Sequence, residues 1–95
     1  MDSNEIQIIN EAIKGNKEAV IKLIKNEQNN IYSTLFYLKK NKDEINDLMQ
    51  DVLIKLTNKI GQLKNPKYFK TWLNKIIINT YYDYLRKNKK LFENI

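Results

Sequence analysis

The run NKDEINDLMQDVLIKLTNKI, residues 41–60, has the clearest periodic pattern in the chain. Its apolar residues recur at intervals of three and four, which places them along one face of an α-helix. They are Ile45, Leu48, Met49, Val52, Leu53, Leu56 and Ile60. Asn41, with Glu44 three positions later, is a variant of the capping box found where helices begin. The pattern predicts a helix over residues 42–60 that packs one face into a core.

Two more helices are predicted before this run. The first covers residues 4–14 and ends near Gly15, a residue type that is common directly after a helix. Asn16 can cap a second helix over residues 17–40. The polar residues 27–30 interrupt its apolar stripe, so the pattern leaves open whether one helix or two lie in this segment.

The segment that follows residue 60 breaks the helical period and then resumes it. Gly61 loosens the backbone and Pro66 disfavours a helical conformation in the residue before it, so we expect a surface loop over residues 61–66. A last helix is predicted over residues 67–88. Outside the third helix, the residues expected to face the core are Ile6, Ile9, Ala12, Ile13, Val20, Leu23, Ile24, Ile31, Leu35, Leu38, Phe69, Trp72, Leu73, Ile76, Ile77, Thr80 and Tyr84.

Length and composition favour one small helical domain. The chain has 95 residues, of which 42% are hydrophobic and 29% charged, enough for a core and a hydrated surface. Two glycines and one proline are too few for the tight turns of a sandwich or barrel. We therefore expect an all-α fold, a compact bundle of four to five helices that forms a single domain over residues 1–95.

Cysteine and histidine are both absent from the sequence. Thiol nucleophiles, thiolate zinc sites, the commonest metal ligand and the usual general base are therefore missing. Four acids, Asp43, Glu44, Asp47 and Asp51, resemble magnesium ligands, but the first two serve a helix N-terminus and nothing completes a site. We expect no enzyme activity, no metal and no cofactor.

Membrane insertion is not expected either. No apolar run approaches the roughly 20 residues that span a bilayer, and the first residues, MDSNEIQ, lack the basic start and apolar stretch of a signal peptide. The sequence therefore predicts a cytoplasmic protein.

The net charge of +6 is distributed unevenly along the chain. Residues 1–41 carry six lysines against five acids, and residues 42–51 carry one lysine against four acids. Residues 52–95 carry ten basic residues against two acids. A basic carboxy-terminal half suits a polyanion, whereas the acidic block before it would repel one, so two different partners are indicated.

The face of the third helix opposite its core combines acids and amides with one exposed aliphatic side chain. We call this set the acidic face, and its members are Asp47, Gln50, Asp51, Ile54 and Asn58. An apolar anchor within a polar rim is typical of a protein docking surface. An ordinary solvated helix face is the alternative, because single exposed apolar residues are common.

A second stripe on the last helix lies away from its core residues. This basic stripe contains Lys75, Asn79, Tyr82 and Arg86, with Ile78 beside it. Such groups neutralise phosphates, read base edges and stack on unpaired bases. The preceding segment adds Lys64, Asn65, Lys67 and Tyr68, which we call the basic loop. A solvated basic face is again the alternative.

Two ordered segments resemble region 2 of bacterial RNA polymerase sigma factors, most closely the extracytoplasmic-function (ECF) type. The first is DEINDLMQDVLIKL, residues 43–56, and the second combines FKTWLNKIIIN, residues 69–79, with DYLRK, residues 83–87. Gly15, Asn16, Glu18 and Ala19, which lie between the first two predicted helices, also fit the pattern of this family. The resemblance covers nearly the whole chain.

The resemblance implies a partner for each surface. In this family the third helix docks on the clamp coiled coil of the largest subunit of core RNA polymerase, and Lys55 joins the acidic face by match of position. The loop and last helix engage the minus-ten promoter element, including its opened non-template strand. Matching positions are Asn65, Tyr68, Lys75, Asn79, Tyr82 and Arg86, and Lys87 follows in the same basic end. An anti-sigma factor that covers both surfaces is a further expected partner.

The chain also departs from the family pattern. Members ordinarily continue into a helix-turn-helix domain that binds the minus-thirty-five element, so we expect a shortened piece of a longer protein rather than an unusual single-domain product. Two other functions remain open. One is a helical adaptor whose many lysines reflect codon bias, and the other is a non-specific single-stranded nucleic-acid binder.

Overall fold

A computed structural model of the chain describes residues 2–39 and 41–93, with side chains described up to residue 89. The described residues form four α-helices, and the all-α bundle predicted from the sequence is confirmed. The helices are α1 (Ser3–Ile13), α2 (Lys17–Leu38), α3 (Lys42–Lys59) and α4 (Phe69–Glu93), with short 3-10 turns at Ile60–Gln62 and Pro66–Tyr68 between α3 and α4.

The turn between α1 and α2 uses the two residues expected there. Gly15 has a φ of 95°, a left-handed conformation that other residues adopt only with strain. The Gly15 and Asn16 N–H groups donate to the carbonyls of Ala12 and Glu11, the pattern of a Schellman motif. The Asn16 side chain then accepts from the Ala19 N–H at 3.1 Å. The chain therefore reverses over three residues, and α2 packs against α1.

Helix α2 continues through residues 27–30, where the sequence allowed an interruption. The reason is that Glu27 occupies a core position of α2. Its side chain is 6% exposed and forms an ion pair with Lys70 of α4. Buried residues therefore recur every four positions along α2, at Ala19, Leu23, Glu27, Ile31 and Leu35.

The segment between α3 and α4 is more ordered than a plain surface loop. Asn65 is extended before Pro66, and its side chain accepts from the Lys67 N–H at 3.0 Å, which caps the second 3-10 turn. Helix α4 therefore begins at Phe69, two residues later than predicted, and it continues to Glu93. Leu63, placed in the loop by the sequence, is buried.

The core lies among all four helices, with α2 in contact with each of the others. Most residues predicted to face the core are buried or packed against it. Leu38 is an exception at 37% exposed, because it is the last residue of α2. Trp72 and Tyr84 are only partly buried.

Candidate functional site

The acidic face is exposed on α3, as its position opposite the core requires. Asp47, Gln50, Asp51 and Asn58 are all exposed, and Ile54 is 58% exposed although it is aliphatic. The helix begins with its own cap, since the Asn41 side chain accepts from the N–H groups of Asp43 and Glu44 at 3.0 and 3.2 Å. The carboxylates of Asp47 and Asp51 therefore lie beyond the capped turn and face solvent.

Lys55 differs from the acidic face because it is partly buried and points towards α4. Its Nζ donates to the Thr80 Oγ1 at 3.0 Å and lies 3.5 Å from the Asp83 Oδ2. The Thr80 hydroxyl in turn donates to the Ile76 carbonyl at 2.7 Å. Lys55 therefore ties α3 to α4.

The basic stripe is exposed along α4. Lys75, Asn79, Tyr82 and Arg86 all reach solvent, and Ile78 beside them is exposed too. At 1.5 Å of rise per residue, the stripe from Lys75 to Arg86 is about 16 Å long. This is long enough to contact several nucleotides of an extended strand.

Lys87 is exposed but lies about 100° around the helix from Arg86, on the side that faces α3. Lys87 and Arg86 nevertheless both line the groove between α3 and α4, so Lys87 stays beside the end of the basic stripe.

The basic loop presents three exposed side chains, those of Lys64, Lys67 and Tyr68. Asn65 is partly buried, and its side-chain carbonyl oxygen is engaged in the cap of the 3-10 turn. The loop leads directly into α4, where Phe69 is fully buried and packs on Trp72 with ring centroids 5.9 Å apart. The buried Phe69 ring therefore positions both the basic loop and the start of the helix that carries the basic stripe.

An open groove between α3 and α4 joins the two surfaces. Asp51, Ile54 and Lys55 line it from α3, and Asp83, Arg86 and Lys87 are among the residues that line it from α4. Residues assigned to separate partners from the sequence therefore share one groove.

A hydrogen-bonded cluster fixes the middle of α4 against the α2–α3 connection. The Tyr84 hydroxyl donates to Glu44, and Lys39 pairs with the same carboxylate at 3.3 Å. The hydrogen bond from Tyr84, followed by the contribution of Lys39, lowers the pKa of the Glu44 carboxyl below its usual range. The hydrogen bond with Glu44 raises the pKa of both Tyr84 and Lys39. The Tyr81 hydroxyl also donates to the Leu38 carbonyl at 3.3 Å.

Sequence reasoning missed two charged residues that the structure makes important. Glu27 appeared to interrupt α2, yet it is a buried partner of Lys70. Asp83 appeared only within the DYLRK segment, yet it pairs with both Lys55 and Arg86. The spacing of Asp83 and Arg86 on one helix could have suggested their pairing. The pairing of Asp83 with Lys55 connects distant parts of the chain, and no local pattern signals it.

Within the described residues, no group of three or more acidic, histidine or cysteine side chains could hold a metal ion. None of the helices in that part of the chain combines the length and the apolar character needed to cross a bilayer.

Comparison with known proteins identifies the fold family. The family model of sigma-70 region 2 matches residues 23–91, from the second turn of α2 to near the end of α4. The chain belongs to the sigma-70 region 2 family. The RNA polymerase sigma factor SigV of Bacillus subtilis is 31% identical over 79% of this chain and 45% of its own length. The ECF RNA polymerase sigma factor SigX of the same organism is 32% identical over 68% of this chain and 34% of its own length.

These findings confirm the resemblance to the ECF type of region 2. The chain spans less than half the length of both curated relatives. No solved structure matches it. The matched region 2 segment contains the acidic face, the basic loop and the basic stripe.

Proposed function

We propose that this chain is the promoter-recognition domain of an ECF-type sigma factor. In this role it binds core RNA polymerase through the acidic face and recognises the minus-ten element through the basic loop and the basic stripe. The observation that carries the proposal is the match to sigma-70 region 2 over residues 23–91, within which both exposed surfaces fall. The role is not catalytic, and it places the protein in the cytoplasm with the polymerase and the DNA.

The acidic face fits the clamp coiled coil of the largest subunit if that surface is basic. Ile54 supplies an apolar anchor, and Asp51 and Asp47 supply carboxylates about one and two turns before it on α3. Exposed carboxylates steer a basic partner during association, whereas the desolvated anchor contributes more of the binding energy.

Opening of the promoter duplex is explained by a difference in the affinity of the domain for flipped and stacked bases. Unstacking one base costs a few kcal/mol, and a protein that binds only the flipped form shifts the equilibrium by its affinity difference between the two forms. In this domain Tyr68 and Tyr82 offer exposed rings on which unpaired bases can stack, and Asn79 offers an amide for a base edge. Lys75 and Arg86 neutralise the nearby phosphates.

An anti-sigma factor is the third proposed partner. The groove between α3 and α4 is lined by residues of the acidic face and by Arg86 of the basic stripe. One protein seated there would contact both surfaces at once and block both functions.

The experiment compares two variants, each of which is expected to lose one of the two binding functions and keep the other. Asn79→Ala is expected to weaken binding to the minus-ten strand about tenfold, within the range for one base-edge contact, and to leave core polymerase binding unchanged. Asp51→Lys is expected to do the reverse. Strand binding is measured by fluorescence anisotropy with a single strand selected by the wild-type protein from a random pool, and polymerase binding by pull-down of purified Bacillus subtilis core enzyme.

Matched controls are available on exposed helix positions outside both surfaces. Asn29→Ala controls for loss of an amide, and Glu11→Lys controls for a change of two charge units. Equal loss of both activities in both variants would argue against two surfaces. A helical adaptor would bind neither the selected strand nor its scrambled counterpart, and a non-specific binder would bind both alike with a steep salt dependence.

A further inference from the structure

Asp83 lies where the acidic face and the basic stripe meet. Its Oδ2 is 3.5 Å from the Nζ of Lys55 on α3, and its Oδ1 accepts a hydrogen bond from the Arg86 guanidinium one turn further along α4. The carboxylate is therefore shared between two cations on two helices. Neither the sequence pattern nor the family match assigns it a function.

The two cations are held to different degrees. Lys55 also donates to the buried Thr80 hydroxyl, so its ammonium group is fixed from two sides. The Arg86 side chain is 73% exposed, against 45% for Asp83. A guanidinium has five N–H donors, so Arg86 can pair with Asp83 and still donate to a phosphate or a base.

The pair also limits how Arg86 can be used. The hydrogen bond from Arg86, with a smaller contribution from Lys55, lowers the pKa of the Asp83 carboxyl, which is therefore ionised at neutral pH. An ionised carboxylate weakens the attraction that Lys55 and Lys87 exert on phosphates approaching from the α3 side. Its hydrogen bond also restrains one end of the Arg86 guanidinium, whereas an unpaired arginine moves freely on its flexible stem.

We propose that Asp83 is a positioning residue that determines specificity, by restraining Arg86 where the minus-ten strand requires it and by weakening the attraction of other phosphates to the α3 side of the stripe. This inference rests on the proposed function. Asp83 acts through Arg86. The Asp83 carboxylate also weakens the affinity of the domain for nucleic acid in general. A repulsive group improves discrimination in this way, because it weakens binding to the wrong partners.

The test uses Asp83→Asn, with the selected strand and its scrambled counterpart as probes. Affinity for the scrambled strand is expected to rise about threefold, and its dependence on log salt to steepen by about 0.7, as for one more phosphate contact on a single strand. Preference for the selected strand over the scrambled one is expected to fall about fivefold, the low end for one oriented arginine contact.

Three further variants isolate the mechanism. Glu11→Gln removes the same charge from an exposed position on α1 and is expected to leave the preference unchanged. In an Arg86→Gln background, Asp83→Asn is expected to have no further effect on the preference, because its effect operates through Arg86. Asp83→Ser removes the same carboxylate with a smaller side chain, and the same result is expected if Asp83→Asn folds poorly in a thermal melt.

The result that overturns this inference is a preference in Asp83→Asn equal to that of Glu11→Gln. An equal loss of preference with and without Arg86 would also overturn it, because a structural effect of Asp83 would not depend on Arg86. The measurement on the wild-type protein tests the proposed function separately from these variants. If the wild-type protein itself selects no strand, the proposed function fails, and the inference fails with it.

Discussion

Lys70→Met is expected to destabilise the fold more than Glu27→Gln, although both changes remove the same ion pair. The two partners differ in solvent access: the Glu27 side chain is 6% exposed and that of Lys70 is 47% exposed. Lys70→Met leaves a carboxylate in the core with one long hydrogen bond, from Asn30 at 3.4 Å. Glu27→Gln leaves an ammonium group that can turn into water and an amide that can still form hydrogen bonds.

The magnitudes follow from these environments. Removing one partner of a buried ion pair costs about 3 to 5 kcal/mol, and we take the lower end because Lys70 is half exposed. Loss of a hydrogen bond with its partner rehydrated costs about 1 kcal/mol. At 4 to 8 °C per kcal/mol for a domain of this size, Lys70→Met should lower the melting temperature by about 12 to 24 °C and Glu27→Gln by about 4 to 8 °C.

Thermal unfolding followed by far-ultraviolet circular dichroism measures the difference. Lys75→Met is the matched control, because it removes a lysine from an exposed position of the same helix, and its expected change is within about 0.5 kcal/mol. The double variant Glu27→Met with Lys70→Met should recover most of the stability, since an apolar pair can replace a buried ion pair. A loss in Glu27→Gln that equals or exceeds that in Lys70→Met would refute the reasoning.

Two further predictions concern the backbone and the pH dependence of stability. Gly15→Ala should cost about 1 to 2 kcal/mol in a urea titration, from backbone strain alone because a Cβ at Gly15, whose φ is 95°, meets no atom within 4 Å. Gly61→Ala should be nearly neutral, because its Cβ would lie at an ordinary contact distance of 3.8 Å from the Ile13 carbonyl, and a loss equal to that of Gly15→Ala would contradict this. The Glu44 pKa is lowered in the folded state by the hydrogen bond from Tyr84, so its contribution to stability is present at neutral pH and is lost as the pH falls through the folded-state value. Unfolding measured from neutral pH to below the ordinary glutamate pKa of about 4.3 should therefore show a smaller loss for Glu44→Gln than for the wild type, and parallel curves would contradict it.

The helices were predictable because their apolar periodicity is local. The core face of α3 carries six apolar residues at helical spacing, and four of them, Ile45, Leu48, Val52 and Leu56, are buried. The asparagine caps of α2 and α3 were recognised for the same reason, since a side chain that accepts from an N–H two or three residues later needs no distant partner.

The sequence was least informative where a distant contact outweighed the local pattern. Glu27 looked like a polar interruption because its partner Lys70 is 43 positions away in the sequence. Leu63 looked like part of a surface loop because its burial depends on how the turn packs on the other helices. Lys55 was assigned to the acidic face by match of position, whereas the structure turns its ammonium group towards Thr80 and Asp83 of α4.

The sequence by itself determined the helical class, the two surfaces and the resemblance to sigma region 2, because residue spacing on a helix decides which side chains share a face. Only the tertiary structure decided that Glu27 belongs to the core and that the two surfaces meet at Asp83. These relations depend on how helices pack, and the side chains that meet between helices are separated in sequence by 25 to 43 positions. A pattern with a period of three or four residues carries no information about contacts at that separation.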